Sequence, residues 1–469
     1  MTTSDNLPSS TTKWPDYRAV WRWHFYAGLY CIPFVIILSL SGLFYLFKTE
    51  IESWEERRFE SLTLSSPSAG PARQIQAALD SISGSRLNAY ELPQSDTSAA
   101  RVIVRHQGEQ IRIFVHPSTL EILGSLPERQ RVMQFVRRIH GELLLGPKGS
   151  YLVELAASWT IVMILTGLYL WWPRNMKNWG GIIYPRLRST SKVFWRDLHS
   201  VPGLWISGMA LILILSGLPW SNFWGDYFRT VRRLTGTAVT RQDWSNRGGD
   251  NQEERAPAYR GSSSSSDDEH AGHGVSNRSR RFSRETTPAF PIDLRAVDRI
   301  AATVTPLNLA PPILISAPQH PNETWTAKSN TPNRPYRTNL TLNGDTGQIV
   351  SREDFKDRHL IDRMVGYGIA LHEGHLFGIA NQVLGLVTAL GLVLLSVSGI
   401  VLWWQRREPG LFGTPHPAAM PKFSLGIAAI VIALAVYLPM FGTSLIAVLL
   451  LERLLFKRIP RLRNWLGLS

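Results

Sequence analysis

Two histidines beside apolar segments are each followed by a glycine one helical turn later. WRWHFYAGLY places His24 four residues before Gly28, and WRDLHSVPGLW places His199 four residues before Gly203. Neutral imidazole is a common protein ligand for haem iron. Residues i and i+4 share one face of a helix, so each glycine would leave room for a flat macrocycle beside the histidine. The sequence therefore supplies a candidate ligand and a slot twice, at the same depth.

A second pair of histidine motifs precedes two other apolar segments. IHGELLLG contains His140 and LHEGHLFG contains His372, each six residues before a glycine. The residues before them are apolar at helical spacing, and breaks such as Pro147 indicate that these segments lie along the membrane surface and fold back over the helices. We expect His140 and His372 to hold a second haem near the outer face. His375, one turn after His372, is an alternative ligand or a group on the substrate side, and it could equally be a solvated surface histidine.

The alternative role for these histidines is structural. An interfacial histidine can hydrogen-bond to lipid headgroups or water, and the nearby glycine can simply allow close helix packing. A lone motif would favour that role, but matched motifs on parallel helices favour ligation. The remaining histidines, in strands, loops or a serine-rich stretch, are expected to have no ligand role: His106, His116, His270, His273, His320, His359 and His416.

Five apolar segments are long enough to cross about 30 Å of hydrocarbon as helices. The first is too long for a cleaved signal peptide and has no small-residue cleavage site. Pro439 and Gly442 interrupt the last segment, for which we expect one long or broken helix with its C-terminus on an undecided side. The predicted spans are residues 21–47, 151–172, 200–220, 379–404 and 423–456.

The net charge of +14 is explained by membrane topology, so nucleic acid is not expected as a partner. Under the positive-inside rule, short basic segments are cytoplasmic, which predicts a multi-pass protein of the bacterial cytoplasmic (inner) membrane. The basic residues are Lys177, Arg186, Arg188, Lys192 and Arg196 after the second span, and Arg406 and Arg407 after the fourth. The predicted cytoplasmic segments are residues 1–20, 173–199 and 405–422, with a C-terminal tail at 457–469.

Cysteine usage limits the cofactor chemistry. The single cysteine, Cys31, allows no internal disulfide and no cysteine-ligated zinc or iron–sulfur site. The chain has no CxxCH motif, so haem would be held without thioether bonds. The expected cofactors are therefore two non-covalent, b-type haems.

The two halves of the chain repeat each other in the same direction. Each histidine precedes the glycine of a Ser-Gly or Thr-Gly step at a fixed distance, 18 residues in one motif and 27 in the other. The pairs are His24 and Gly42, His199 and Gly217, His140 and Gly167, and His372 and Gly399. We interpret the hydroxyl residues of these steps as helix-packing positions: Ser41, Thr166, Ser216 and Ser398.

The external regions, residues 48–150 and 221–378, are predicted to be small α+β domains. Each contains a helical pattern, ARQIQAALDSI or LRAVDRIAATV, followed by alternating strands and turns. Residues 241–287, rich in Ser, Asp, Arg and Gly, are predicted to be a flexible insertion. The expected fold is an α-helical membrane bundle of four core spans in two parallel repeats, a C-terminal transmembrane helix, and two small periplasmic α+β domains.

Several repeated elements resemble the PepSY-associated transmembrane family of iron-regulated inner-membrane proteins. They are IHGELLLG/LHEGHLFG, GLYLWWPR/GIVLWWQR, TLNGDTGQIV and WRWHFYAGLY. Members of the family include diheme ferric-siderophore reductases. The resemblance implies periplasmic PepSY domains and two stacked b-type haems, with His24 and His199 as inner ligands and His140 and His372 as outer ligands. The insertion departs from the family pattern and leaves the bounds of the second external domain open.

The leading hypothesis is a haem-dependent reductase that carries electrons outward to a ferric siderophore or other Fe(III) complex. No Gly-rich nucleotide motif follows a strand, so the donor would be a membrane quinol or a separate cytosolic reductase. No catalytic residue is assigned. The first rival is a non-enzymatic sensor or peptidase regulator that uses its external domains to bind a protein. A transporter with inverted repeats is disfavoured because these repeats run parallel.

Overall fold

The computed structural model describes residues 17–173, 178–237, 292–318, 324–414 and 425–466. The predicted insertion, residues 241–287, lies outside these residues. The α-helices are α1 (Tyr17–Tyr45), α2 (Lys48–Glu56), α3 (Pro71–Ser81), α4 (Val132–Glu142), α5 (Pro147–Trp171), α6 (Ser191–Gly217), α7 (Asn222–Leu234), α8 (Arg295–Val304), α9 (Leu360–His372), α10 (Ile379–Arg406), α11 (Leu425–Tyr437), α12 (Pro439–Leu451) and α13 (Pro460–Trp465). The strands are β1 (Arg86–Glu91), β2 (Ala100–His106), β3 (Glu109–Val115), β4 (Ile122–Pro127), β5 (Ile313–Ser316), β6 (Trp325–Ser329), β7 (Thr338–Leu342) and β8 (Ile349–Asp354).

Four long apolar helices form the central bundle. Helices α1 and α6 each pack against both α5 and α10. These four helices and the segment Pro439–Phe456 are long and apolar enough to cross a membrane, as expected of a multi-pass membrane protein. Helices α1 and α6 run toward the β-sheet, and α5 and α10 run away from it. We call the end of the bundle at Tyr45 the sheet end and the end at Arg406 the basic end.

Helix α6 begins nine residues before the predicted span at residue 200. The segment KVFWRDLHS continues the helix because it contains no glycine or proline. Its one acid, Asp197, is fully buried and accepts hydrogen bonds from the side chains of Arg186 and Arg196 at 2.7 and 2.8 Å. His199 therefore lies within a helix, as its motif predicts, and that helix extends nine residues beyond the predicted bound at residue 200.

The eight strands form one antiparallel sheet in the order β4-β3-β2-β1-β5-β6-β7-β8. The first four strands come from the first external region and the last four from the second. Strands β1 and β5 pair at the centre, with Tyr90 opposite Ile315. The two separate domains predicted from the sequence are thus joined. A separated half would expose the unpaired edge of β1 or β5 and part of the shared core.

The two faces of the sheet have different chemistry. One face packs against α3 and α8, where Ile75, Val297 and Ile300 are fully buried. On the first half of the other face, buried arginines and glutamates form ion pairs that join strands to one another, to α2 and to the segment before α4, and join α2 to the start of α4. These ion pairs are Arg101–Glu56, Arg112–Glu91, Arg112–Glu128 and Arg131–Glu56.

The C-terminal segment, predicted as one long or broken helix, folds back on itself at Leu438. A Cβ on Gly442 would lie 3.0 Å from that of Ala435. In a straight helix, seven residues would separate these positions by about 10 Å. Farther along, Trp465 of α13 packs on Phe412 with ring centroids 4.5 Å apart. Helix α13 therefore lies at the basic end of the bundle, the side that the sequence had left open.

Candidate functional site: two histidine pairs

His24 of α1 and His199 of α6 face each other across the bundle near its basic end. Their ring centroids are 6.2 Å apart, and their ring planes are inclined by 77°. Both helices run in the same direction and belong to equivalent positions of the two repeats. The structure therefore brings together one histidine from each half of the chain.

His140 of α4 and His372 of α9 form a second pair at the sheet end. Their ring centroids are also 6.2 Å apart, with an interplanar angle of 85°. Burial lowers the pKa of His140 to about 4 and holds the pKa of His372 below its ordinary value. Both imidazoles are therefore neutral near pH 7, the protonation state that binds a metal.

The imidazole of His24 is fixed by a short stretch of α5. Its Nδ1 lies 3.0 Å from the Met163 carbonyl oxygen and 3.2 Å from the Thr166 hydroxyl. Because that hydroxyl donates its own proton to a carbonyl of the preceding turn, both partners act as acceptors and Nδ1 carries the proton. A Cβ on Gly167 would lie 3.0 Å from His24 Cε1. Glycine therefore lets the ring lie directly against α5.

The same arrangement occurs at the other three histidines. In each case Nδ1 contacts a helix carbonyl, the hydroxyl three residues later contacts the same nitrogen at 3.1 Å, and the next residue is a glycine that lies against the ring. We call this carbonyl, hydroxyl and glycine set a histidine seat. The other seats are Leu395, Ser398 and Gly399 for His199; Leu38, Ser41 and Gly42 for His140; and Leu213, Ser216 and Gly217 for His372.

The geometry of both pairs would fit the binding of one iron between the two imidazoles. With metal–nitrogen bonds of about 2 Å, two coaxial imidazoles have centroids roughly 6 Å apart. Within the described part of the chain, the hydrogen bonds of all four rings use Nδ1, and the Nε2 lone pair is left for a metal. A hydrogen bond at the second nitrogen is the usual way to fix the tautomer of a ligating histidine. Each pair can thus hold a haem.

The two pairs lie at different depths. On α1, Leu38 and Gly42 of the His140 seat follow His24 by 14 and 18 residues, which is roughly 21–27 Å of helix. The same separation occurs on α6 between His199 and the seat of His372. The pairs are therefore arranged along the bundle axis, one toward each end.

Gly28 and Gly203, predicted to flank a macrocycle, each lie near a side chain of the adjacent helix. A Cβ on Gly28 would be 3.8 Å from Met163 Sδ, and a Cβ on Gly203 would be 3.6 Å from Leu395 Cδ2. These distances are ordinary van der Waals contacts. The proposed slot beside the two glycines remains a prediction.

His375, the alternative ligand, does not join either pair. It lies just after α9, where its backbone N–H donates to the Ala370 carbonyl at 2.8 Å. It is His372 that contacts His140. Of the other histidines, His116 accepts hydrogen bonds within a turn and His359 caps α9. His270, His273, His320 and His416 lie outside the described residues. Over the described residues, no group of three or more His, Cys, Asp or Glu side chains could hold a metal ion.

Sequence reasoning missed the histidine seats. The Ser-Gly and Thr-Gly steps were interpreted as packing positions, but their hydroxyls hold the imidazoles. The constant spacing from histidine to glycine was the available signal. Sequence reasoning also missed Trp220, whose ring centroid is 6.1 Å from that of His372.

The comparison with known protein families identifies most of the chain. No curated protein matches it significantly. A family model described as the PepSY-associated TM region matches residues 21–406, which include all four paired histidines and both halves of the sheet. The chain therefore belongs to the PepSY-associated transmembrane family.

Proposed function

We propose that the protein is a diheme b-type reductase of the bacterial cytoplasmic membrane. It would carry electrons from the basic end to the sheet end and reduce a ferric siderophore or other Fe(III) complex there for iron uptake. The observation that carries this proposal is the pair of matched sites, each with two imidazole centroids 6.2 Å apart and protonated at Nδ1. Two such sites, one toward each end of the bundle, would let an electron pass along the bundle axis, which a single site would not.

The protein's own residues would supply ligation, orientation and exclusion of water. Haem contributes reversible one-electron redox chemistry when bound. The seats hold each imidazole in one tautomer and orientation, so little rearrangement is needed when a metal binds. The largely apolar surroundings favour the less charged form of each site and so influence its reduction potential.

The electron donor would act at the basic end, beside His24 and His199. A membrane quinol or a separate cytosolic reductase would fit, because the sequence contains no nucleotide-binding motif of its own. The lipid bilayer surrounds the bundle. The Fe(III) complex would approach the sheet end, where His140 and His372 lie.

The direct test is anaerobic oxidation of the reduced protein by an Fe(III) siderophore. Protein purified from haem-supplied cells would be reduced with half a mole of dithionite per mole of haem, since each dithionite supplies two electrons, and mixed with the siderophore and an Fe(II) chelator. We expect the haem absorption bands to return to the oxidised spectrum as the Fe(II) chelate forms. His140→Ala should slow this reaction at least tenfold, and His375→Ala, one turn beyond His372, should leave it unchanged.

Two results would overturn the proposal. A colourless preparation from haem-supplied cells would favour a sensor or peptidase regulator with structural histidines. If the protein bound haem but stayed reduced in the presence of every Fe(III) complex tried, the haem sites would be supported and the ferric reductase activity would be excluded.

A further inference from the structure

Arg406, the last residue of α10, lies on the same helix face as the seat of His199. It follows Gly399 by seven residues, or two turns, so the two positions are about 10 Å apart along one face. Gly399 lies against the His199 ring. Arg406 is thus placed just beyond the inner histidine pair, on its side toward the basic end.

The aromatic partners of Arg406 come from the helix that carries His24. Its guanidinium carbon lies 4.8 Å from the Trp21 ring centroid and 5.1 Å from that of Phe25. Trp21 and Phe25 flank His24 on α1, one turn before it and directly after it. The guanidinium therefore bridges the two helices that contribute the ligand and the seat at this end.

The hydrogen bonds of Arg406 leave part of its charge without a counter-ion. One terminal nitrogen donates to the Gly413 carbonyl at 2.9 Å, whereas Nε is buried and has no acceptor among the described residues. Within the described part of the chain, the ion pairs include no carboxylate partner for Arg406. A partly buried cation held by aromatic rings and a single carbonyl, with no counter-ion, is costly. An anion bound beside Arg406 would offset this cost.

We propose that Arg406 binds a carboxylate side chain of the haem at the inner pair. This inference rests on the proposed function. Haem carries two carboxylates on one edge, and Arg406 would bind one of them from the basic end. Guanidinium is well suited to bind carboxylate through two parallel hydrogen bonds. The neighbouring Arg407 differs, since it is exposed and stacks on Trp403 and Trp404.

The charge of Arg406 should raise the midpoint potential of the inner haem as well as help to retain that haem. Reduction of a haem iron adds one negative charge, and a nearby fixed cation favours that state. Removing the cation should therefore lower the midpoint potential of the inner haem and leave the outer haem unchanged. A structural role in helix packing alone would not move the potential of one haem selectively.

The test uses protein that retains only the inner site, His140→Ala/His372→Ala, to avoid overlap of the two haem signals. We expect Arg406→Gln in this background to lower the midpoint potential in a spectroelectrochemical titration and to reduce haem retention at least tenfold. Arg407→Gln should change neither quantity, and Arg406→Lys should recover most of the potential. Unchanged potential in Arg406→Gln would overturn the inference, including the case in which Arg406 binds only a lipid phosphate.

A second measurement applies if the Arg406→Gln protein does not fold or does not bind haem. In the charge-conserving Arg406→Lys protein, the carboxylate bands of the redox infrared difference spectrum should shift, because lysine replaces a two-pronged donor with a point charge. Arg407→Lys should give the parent bands, and identical bands in both variants would contradict the assignment. If the parent protein bound no haem at all, the proposed function itself would fail.

Discussion

At the scale of single residues, all four imidazoles are held in the same way. A helix carbonyl and a hydroxyl three residues later both accept from Nδ1, and the following glycine admits the ring. The hydroxyl can accept because its own proton goes to the preceding turn. The protein alone thus fixes the orientation of the imidazole, which would reduce the cost of binding a metal.

The closest seat gives the sharpest prediction for a single substitution. Gly167→Ala would place a methyl group 3.0 Å from His24 Cε1 and push the ring away from α5. Overpacking of this kind costs about 1–3 kcal/mol, so the dissociation constant of the inner haem should rise about tenfold or more. Haem transfer to an acceptor protein measures this change. Gly208→Ala is the matched control, since a Cβ there meets nothing within 4 Å, and equal haem loss from both variants would contradict the role of the seat.

The sequence was informative about the paired histidines and uninformative about what holds their rings. Histidine and glycine spacings can be counted along one chain, and they identified His24, His199, His140 and His372 as related positions. A seat depends on which helix lies beside each ring. That adjacency is a property of the packed bundle, so Thr166 could not be assigned to His24 from spacing alone.

At the scale of elements, the short helices α4 and α9 must hold the outer histidines in place. A buried ion pair ties each of them to a helix that follows a long span. In the first half the acidic partner lies on the helix after the span, whereas in the second half it lies on the helix that carries the histidine. Glu56 at the end of α2 pairs with Arg131 at the start of α4, at 2.9 Å. Arg232 of α7 pairs with Asp362 in the first turn of α9, at 2.7 Å. These pairs fix the direction of the two helices that carry His140 and His372.

Asp362→Asn should loosen the outer site selectively. Loss of one partner leaves the buried Arg232 charge uncompensated, which typically costs about 3–5 kcal/mol. We expect the outer haem to be lost on dilution while the inner haem is retained, so that the pyridine haemochrome assay on the purified variant finds one haem per protein instead of two. Asp226→Asn, on the helix of Arg232 but in a more exposed ion pair with Arg229, should retain both haems. Parallel loss of both haems in Asp362→Asn would indicate general unfolding instead.

The elements with a clear periodic pattern were predicted correctly, whereas strand β5 and the reversal at Leu438 were not. The long apolar helices and the strand pattern around Val102 and Ile113 are evident in the sequence. Strand β5 has only four residues, Ile313–Ser316, which is too short for a pattern to be distinctive. The turn at Leu438 also has no local signal that separates a kink from a full reversal.

At the scale of the whole molecule, the parallel repeat makes every site a junction between the two halves. Each histidine pair takes one residue from each repeat. The two halves of the sheet are joined where one strand from each external region pairs with the other. Separate domains would be free to move apart and carry His140 and His372 with them. A single sheet prevents that motion and keeps the outer pair together.

Cross-linking can test the joined sheet directly. Ala89 of β1 lies opposite Ser316 of β5, so the double variant Ala89→Cys/Ser316→Cys should form a disulfide readily under mild oxidation. The native Cys31 is buried in α1 and should not compete. Ala89→Cys/Thr338→Cys is the control, because β7 lies three strands from β1, or roughly 14 Å. Peptide mapping that finds no Ala89–Ser316 link would favour two independent domains.

The measurement that tests the central claim most directly is haem stoichiometry in paired histidine variants. The wild-type protein should bind two haems, and each single alanine variant should bind one. His24→Ala/His199→Ala should still bind one haem, because both residues serve the same site, whereas His24→Ala/His372→Ala should bind none. A haem-free wild-type protein, or equal haem content in the two double variants, would contradict the account.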